Sequence, residues 1–522
     1  MNFTLSFSAL MPLAPVMIVA LTLIAVMLLI AVKRNHNLVA TATVVGLNLA
    51  ALNLILMWFG PAVPEQQVMG LFAVDRFTLF YQFMILVAAL ACCTLSHAYI
   101  ESYKDNREEL YLMMLASTAG AMLMVASNHY ASFFISLELM SIPLYGLLAY
   151  THQRGKSLEA GLKYLVLSAT ASAMLLMGMA YIYAYTGTLS FVDPQALQGI
   201  LSGFYDKVPT PALVLGLGLM ICAVAFKLSM APFHKWTPDV YAGAPAPIAT
   251  FLGTVAKVAM IGLFIRFVMS SGLILLPNVL LILIIIATLS IIVGNLLAVR
   301  QVNLKRILAY SSIAHFGYIL VGLVSINYTD MFRGVAQGIS TVDTQAVTVY
   351  VLTYVLTTIG AFGVVTLMSS PYNNRDEAES LADYRGMFWR RPILTAVLTL
   401  MMLSLAGIPL TAGFIAKFMV IKQAVMMGSW FLSAMVIVGS GIGLYYYLRV
   451  IVVMYMTPPE QPRIEAVRHW GQQAGGLMVL GATALVFVLG VYPEPMLQLA
   501  KLATFSIDPQ LIQLGFMLFV QQ

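Results

Sequence analysis

The chain has 522 residues, of which 61% are hydrophobic and only 9% charged, with a formal net charge of +6. A soluble domain carries roughly 25% charged residues, so a water-soluble fold is excluded, and the small positive excess implies no nucleic-acid partner, because in a membrane protein Lys and Arg mostly set topology. The three cysteines, Cys92, Cys93 and Cys222, all fall in apolar runs, and their spacing suggests no metal, haem or Fe–S site.

Apolar runs of about 20 residues recur along the whole chain, whereas a membrane barrel alternates in segments of roughly 10. The expected fold is an all-α polytopic membrane protein with about fourteen spans. They lie near 9–32, 38–59, 77–98, 110–127, 131–150, 162–185, 211–230, 247–269, 273–298, 304–325, 346–369, 393–420, 428–456 and 474–492. The first run is long and has no charged stretch before it, so it reads as a spanning helix and not as a cleaved signal peptide. Residues 495–522 fit either an interfacial helix or a loosely fixed tail. Lys33, Arg34, Arg154, Lys156, Lys235, Arg300, Arg385, Arg390 and Arg391 fall on one side of this plan; the other side holds fewer cations, among them Arg76, Arg266 and Lys422. The richer side is expected to be cytoplasmic, which with an even span count puts both termini outside.

Two spans are interrupted. The seventh runs into "AFKLSMAPFHKWTPDVYAGAPAP" (225–247), where Pro232 is expected to break it; the twelfth contains "SLAGIPLTAGFIAKF" (404–418), with Gly407, Pro409 and Gly413 ahead of Lys417. A proline inside a helix removes a hydrogen bond and clashes with the preceding turn. At membrane depth such breaks are tolerated where they are buried in protein or line a wet cavity. The two breaks lie five spans apart, and an odd offset reverses direction across the membrane. The expectation is therefore two inverted five-helix repeats, spans 4–8 (residues 109–270) and spans 9–13 (271–456). Helices 1–3 (1–108) and a last helix and tail (457–522) complete a single transmembrane domain. Paired broken segments in two such halves point to a transport site.

Ionisable side chains at a helix centre in the membrane cost about 2.5–3.5 kcal/mol each. Glu138, Lys227, Lys257 and Lys417 stand well inside apolar runs, as does His315, and Lys163 lies near the start of the sixth span. Structural readings exist for each. Lys163 and Lys417, and above all Lys305 and Arg306 at the opening of the tenth span, read as cations that snorkel to the interface. Glu138 and Lys227 read as a static ion pair, His315 as a histidine satisfied by Ser311 or a carbonyl, His129 and Asp239 as solvated, and Arg449 as helix-orienting. The functional reading is a proton relay. Burial raises a carboxylate pKa and lowers a lysine pKa, and an opposite charge reverses each shift, so a Glu–Lys pair that opens and closes loads and releases a proton. Lysine suits this role better than arginine, which does not deprotonate in proteins. His234, just past the first break, is the next titratable group on that route.

The motifs "ELMSIPLYGLLAY", "SLEAGLKYLVLSA", "FKLSMAPFHKWTPDVYAGAPAP", "NLKRILAYSSIAHFGY", "LMMLSLAGIPLTAGFIAKF" and "GSGIGLYYYLRV" are long and jointly specific. Together they closely resemble the N-type antiporter-like membrane subunits of the bacterial proton-pumping NADH:quinone oxidoreductase, respiratory complex I. The resemblance implies the same span plan, with helices seven and twelve broken. It also implies a proton-translocation set in which Glu138, Lys163, Lys227, Lys257 and Lys417 occupy the family's positions, with His234 just after the break. It further implies a multi-pass protein of the bacterial inner membrane that binds no cofactor itself, with NADH, FMN, Fe–S clusters and quinone in other subunits. The M and K subunits are the implied neighbours, beside lipid, water and protons. Two competing functions share these features: a subunit of an Mrp-type cation/proton antiporter, and a structural spacer whose ion pairs only fix helix packing.

Overall fold

Asn35, Asp75, His129 and Asn303 each stand one residue ahead of a long helix, and each accepts a hydrogen bond from a backbone N–H in the turn that follows. A polar acceptor at this position satisfies one of the four N–H groups that a helix start leaves open, so these residues mark where spans begin. His129 therefore caps a helix and is half-buried; it does not stand free in solvent as expected.

The computed structural model describes residues 10–60, 66–101, 103, 106–191, 193, 211–326, 343–369, 377–460 and 474–504. In chain order the helices are α1 (Ala14–Val32), α2 (His36–Phe59), α3 (Arg76–Ile100), α4 (Glu109–Ala126), α5 (Tyr130–Leu148) and α6 (Gly155–Thr186). They continue with α7 (Pro211–Lys227), α8 (Trp236–Gly243), α9 (Ala246–Ser270), α10 (Pro277–Val299), α11 (Leu304–Val324) and α12 (Gln345–Met368). The last are α13 (Pro392–Ala406), α14 (Ala412–Met426), α15 (Trp430–Tyr455), α16 (Ala474–Val491) and the short α17 (Glu494–Leu502). A small antiparallel hairpin, β1 (Gln66–Val68) with β2 (Phe72–Val74), precedes α3. Of the ambiguous C-terminal stretch, 505–522 lies outside the described residues.

Among the described residues, 12 stretches are long and apolar enough to cross a membrane. The seventh and twelfth expected spans are the divided ones, as α7 with α8 and as α13 with α14. The apolar window of α9 is wholly buried inside the protein, and those of α11, α12 and α3 nearly so, whereas that of α1 is only 22% buried. The centre is thus a group of helices surrounded by other helices, and the periphery presents apolar side chains outward as a lipid-facing wall does.

Both breaks are built from backbone bonds that the helix gives up. The first falls earlier than expected: α7 ends at Lys227, not at Pro232. Its carbonyl is taken by the Lys257 ammonium, and the N–H of Ala231, which would have closed the next turn onto it, donates instead to Ser290 Oγ at 2.9 Å. Ser229 between them sits at φ +62°, a region that non-glycine residues rarely adopt. In the second break, Pro409 has no N–H to offer the Leu405 carbonyl. The chain turns through Gly407 at φ +84°, and Leu410 is held at φ +71°. A side chain on Gly413 would stand 1.9 Å from the Ser404 carbonyl oxygen, so glycine lets the two halves of the broken helix touch. α9 carries a π-helical turn at Leu252–Ala256, directly before Lys257.

Candidate functional site

Lys227, at the end of α7, is 7% exposed, and its ammonium donates to Ser141 Oγ of α5 at 3.0 Å and Ser168 Oγ of α6 at 2.7 Å. Ser168 also bonds the Tyr145 hydroxyl at 3.0 Å. Glu138, one turn from Ser141, is half-buried and accepts from Ser172 Oγ at 2.5 Å. Glu138 and Lys227 thus form no direct ion pair, and each bonds a different serine hydroxyl of α6. Ser168 and Ser172 are four residues apart, so they share one face of α6.

Lys257 is 1% exposed; it donates to the Lys227 carbonyl at 3.1 Å and to Ser229 Oγ, with the Trp236 and Phe316 rings at 5.4 and 5.2 Å. Lys417, on α14, donates to the carbonyls of Leu405 and Ala406, at 2.9 Å each, and stands 5.3 Å from the Tyr318 ring. The two breaks share a feature. Each leaves backbone carbonyl at a helix C-terminus, where the macrodipole favours a cation, and a buried lysine takes it: Lys257 from α9, beyond the short α8, and Lys417 from α14, directly after the break. An ammonium out of water is held only by the few acceptors that reach it, so the charge state of each lysine depends on those contacts.

His315, on α11, bonds the Tyr350 hydroxyl through Nδ1 at 2.8 Å and the Tyr447 hydroxyl through Nε2 at 3.2 Å. Its partners are these tyrosines, not Ser311 or a carbonyl as expected; Ser311 bonds Tyr447 instead. A small cavity beside it is lined by Tyr350, Tyr354, Thr357, Ser404 and Leu405, which places His315 next to the carbonyl that Lys417 holds. At about 10 Å³ the cavity is just large enough for one water. His234, between α7 and α8, is 8% exposed, and its Nδ1 has no hydrogen-bond partner. Of the expected set, Lys163 alone lies off this buried line. Its side chain is 43% exposed and pairs with Glu159 at 2.6 Å and Asp239 at 3.2 Å. Asp239, expected to be merely solvated, also pairs with Arg306.

Two charged groups, Lys305 and Arg266, depart from the sequence expectation, and Glu377 joins the first of them. Lys305 does not snorkel: it is fully buried and donates to Glu377 at 2.6 Å and to the carbonyls of Ala242 and Ala244 at 3.0 and 2.6 Å. Glu377 also accepts from the Ala246 N–H at 3.0 Å and from the Tyr99 hydroxyl, with Arg154 at 3.4 Å. Burial opposes its ionisation, yet the Lys305 and Arg154 cations outweigh that and hold its carboxyl below the usual range. Arg266, read as a connection charge, is 2% exposed and donates to both oxygens of Asp75 at 2.9 Å and to Thr78 Oγ1 at 2.8 Å. Arg449, as expected of a structural residue, donates to the Val299 and Gln301 carbonyls at the end of α10. Among the described residues no three His, Cys, Asp or Glu side chains converge as metal ligands would.

A family model described as NADH:quinone oxidoreductase/Mrp antiporter, transmembrane, matches residues 127–443. The chain is 71% identical to NADH-quinone oxidoreductase subunit N of Acinetobacter baumannii, with 100% of both chains covered. It is 52% identical to the subunit N of Psychrobacter arcticus, over 96% of this chain and 99% of the relative. Among solved structures it is similar to a chain of respiratory complex I from Thermus thermophilus with bound aureothin. That likeness has a TM-score of 0.74 at 32% identity and covers 93% of this chain and 98% of that one.

Proposed function

The chain belongs to the NADH:quinone oxidoreductase/Mrp antiporter transmembrane family, in its subunit N branch, and on that premise we propose that it translocates protons through the line Glu138, Lys227, Lys257, His315 and Lys417. It works as a membrane-arm subunit of an NADH:quinone oxidoreductase, in which NADH, FMN, Fe–S clusters and quinone belong to other subunits. The subunit N relatives favour this reading over an Mrp-type antiporter. The fourteen-span plan with two inverted repeats accommodates both divided helices, and the richer cationic side is cytoplasmic, with both termini periplasmic. The M and K subunits of the same assembly are its neighbours.

The observation that carries the relay is the pair of lysines bound to freed carbonyls, Lys257 at the first break and Lys417 at the second. A proton held by an ammonium between a few hydroxyls and carbonyls moves when one of those contacts opens. Lys227 loads when Glu138 draws close and unloads towards Lys257 when each is held by its own serines. His315 and its cavity continue the line to Lys417. His234 supplies protons from the cytoplasmic side, and Lys163, paired with Asp239 near that surface, gathers them. The separate serine partners of Glu138 and Lys227 speak against a static ion pair that only fixes packing.

In the assembled enzyme, Lys227→Ala and Glu138→Ala are each expected to leave assembly intact and to lower coupled quinone reductase activity by about tenfold, equivalent to roughly 1.4 kcal/mol in the barrier. Normal turnover with a normal proton/electron ratio in both variants would sink the relay.

A further inference from the structure

Next to His315 in sequence, the Phe316 ring packs on Lys257 with its centroid 5.2 Å from the ammonium nitrogen, and no hydrogen bond among the described residues joins Lys257 to His315. A phenyl ring carries no proton, so the two halves need another connection. We propose that the Tyr241 hydroxyl is that connection, a proton bridge from the Lys257 half to the His315 half; this rests on the relay reading above.

Tyr241 is 0% exposed; Ser312, which also bonds Tyr354, lies beside its hydroxyl, but that hydroxyl makes no hydrogen bond within 3.5 Å among the described residues. A buried tyrosine hydroxyl ordinarily finds one. It does not stand alone: His234 Nδ1 and Thr237 Oγ1 are also buried with no hydrogen bond within that distance. The three residues follow one another three and then four positions apart, so they form one polar stripe that starts in the turn before α8 and continues along that helix. The stripe ends at Tyr241, between α9 and α12. On the α9 side, Gly253 faces the hydroxyl, four residues ahead of Lys257. A methyl group there would lie 3.3 Å from the Tyr241 oxygen and 3.5 Å from Thr358. On the α12 side, the Tyr241 ring packs at 5.8 Å on Phe362. Phe362 and Thr358 both line a cavity shared with Ser311 and Tyr354, and the Tyr354 ring is 5.8 Å from His315. The glycine thus leaves the Tyr241 hydroxyl uncrowded on the α9 side, and this second cavity shares Tyr354 and Leu405 with the one beside His315.

The step leaves tyrosine neutral throughout. Its oxygen takes a proton from water on the Lys257 side while its own proton passes to water on the cavity side. One O–H bond forms and one breaks, with no tyrosinate and no change of redox state.

The test is Tyr241→Phe, which keeps the packed ring and removes only the hydroxyl, introduced into the complete enzyme and reconstituted in proteoliposomes beside Lys257→Arg. The expected result is normal assembly, a proton/electron ratio reduced to half or less, and a larger solvent deuterium effect on coupled turnover. A role in packing alone would leave both readouts unmoved. An unchanged ratio and isotope effect in Tyr241→Phe, with Lys257→Arg impaired, would overturn the bridge and leave the relay standing. An unimpaired Lys257→Arg would overturn both. Should Tyr241→Phe fail to assemble, Gly253→Ala decides: it retains the hydroxyl but crowds it, and its ratio falls if the bridge is real and stays normal if it is not.

Discussion

Lys227 is held by two serine hydroxyls, and the shorter of the two contacts is to Ser168. Removing that hydroxyl leaves a buried donor with one acceptor fewer, which costs about 1–3 kcal/mol, and it also takes the Tyr145 hydroxyl's partner. Ser168→Ala is therefore expected to lower coupled turnover about tenfold, and Ser168→Thr, which keeps an oxygen in place, to restore most of it. Wild-type turnover in Ser168→Ala would show that the hydroxyl does not hold the proton carrier. The charged members of this site were legible in the sequence because a lysine or glutamate in an apolar run is conspicuous. The hydroxyls were not, because serine, threonine and tyrosine are ordinary residues of membrane helices, and only their facing partners reveal a role.

At the scale of the helix, the two interruptions share one logic. Each exposes backbone carbonyl at a helix end and lends it to a buried lysine further along the chain, Lys257 of α9 or Lys417 of α14. Proline and glycine announced both breaks in the sequence. Where the first one falls was not announced: the helix stops at Lys227 because Lys257 and Ser290 claim the groups that would have continued it, and neither is near in sequence. Ser229 and Leu410, both held at positive φ, place local strain of order 1–3 kcal/mol beside the two carbonyl-bound lysines. The π-helical turn before Lys257 left no compositional mark; such turns recur at functional sites, and here it sets where Lys257 and Gly253 face.

Across the whole molecule, Glu377 ties the two expected halves together. It joins Lys305 of α11 to the backbone at the start of α9, and it draws in Arg154 and Tyr99. The sequence around it, "RDEAES", is polar and has no apolar run to mark a buried site. Removing one partner of a buried pair costs about 3–5 kcal/mol, so Glu377→Gln is expected to lower the unfolding temperature of the purified protein. The pH dependence follows from its depressed folded pKa. The stabilisation is fully present above the ordinary glutamate value, about 4.3, and disappears as the pH falls through the lower folded value. An acid-stability profile of Glu377→Gln that matched wild type would remove this clamp from the account.

The central claim is that protons pass through lysines that must give them up. The most direct measurement is the proton/electron ratio of the reconstituted enzyme carrying Lys257→Arg, which keeps a charge at the first break but cannot release its proton. The expected result is an assembled enzyme whose ratio falls clearly below wild type. A ratio equal to wild type would mean that deprotonation at Lys257 is not required, and the relay through this chain would be wrong.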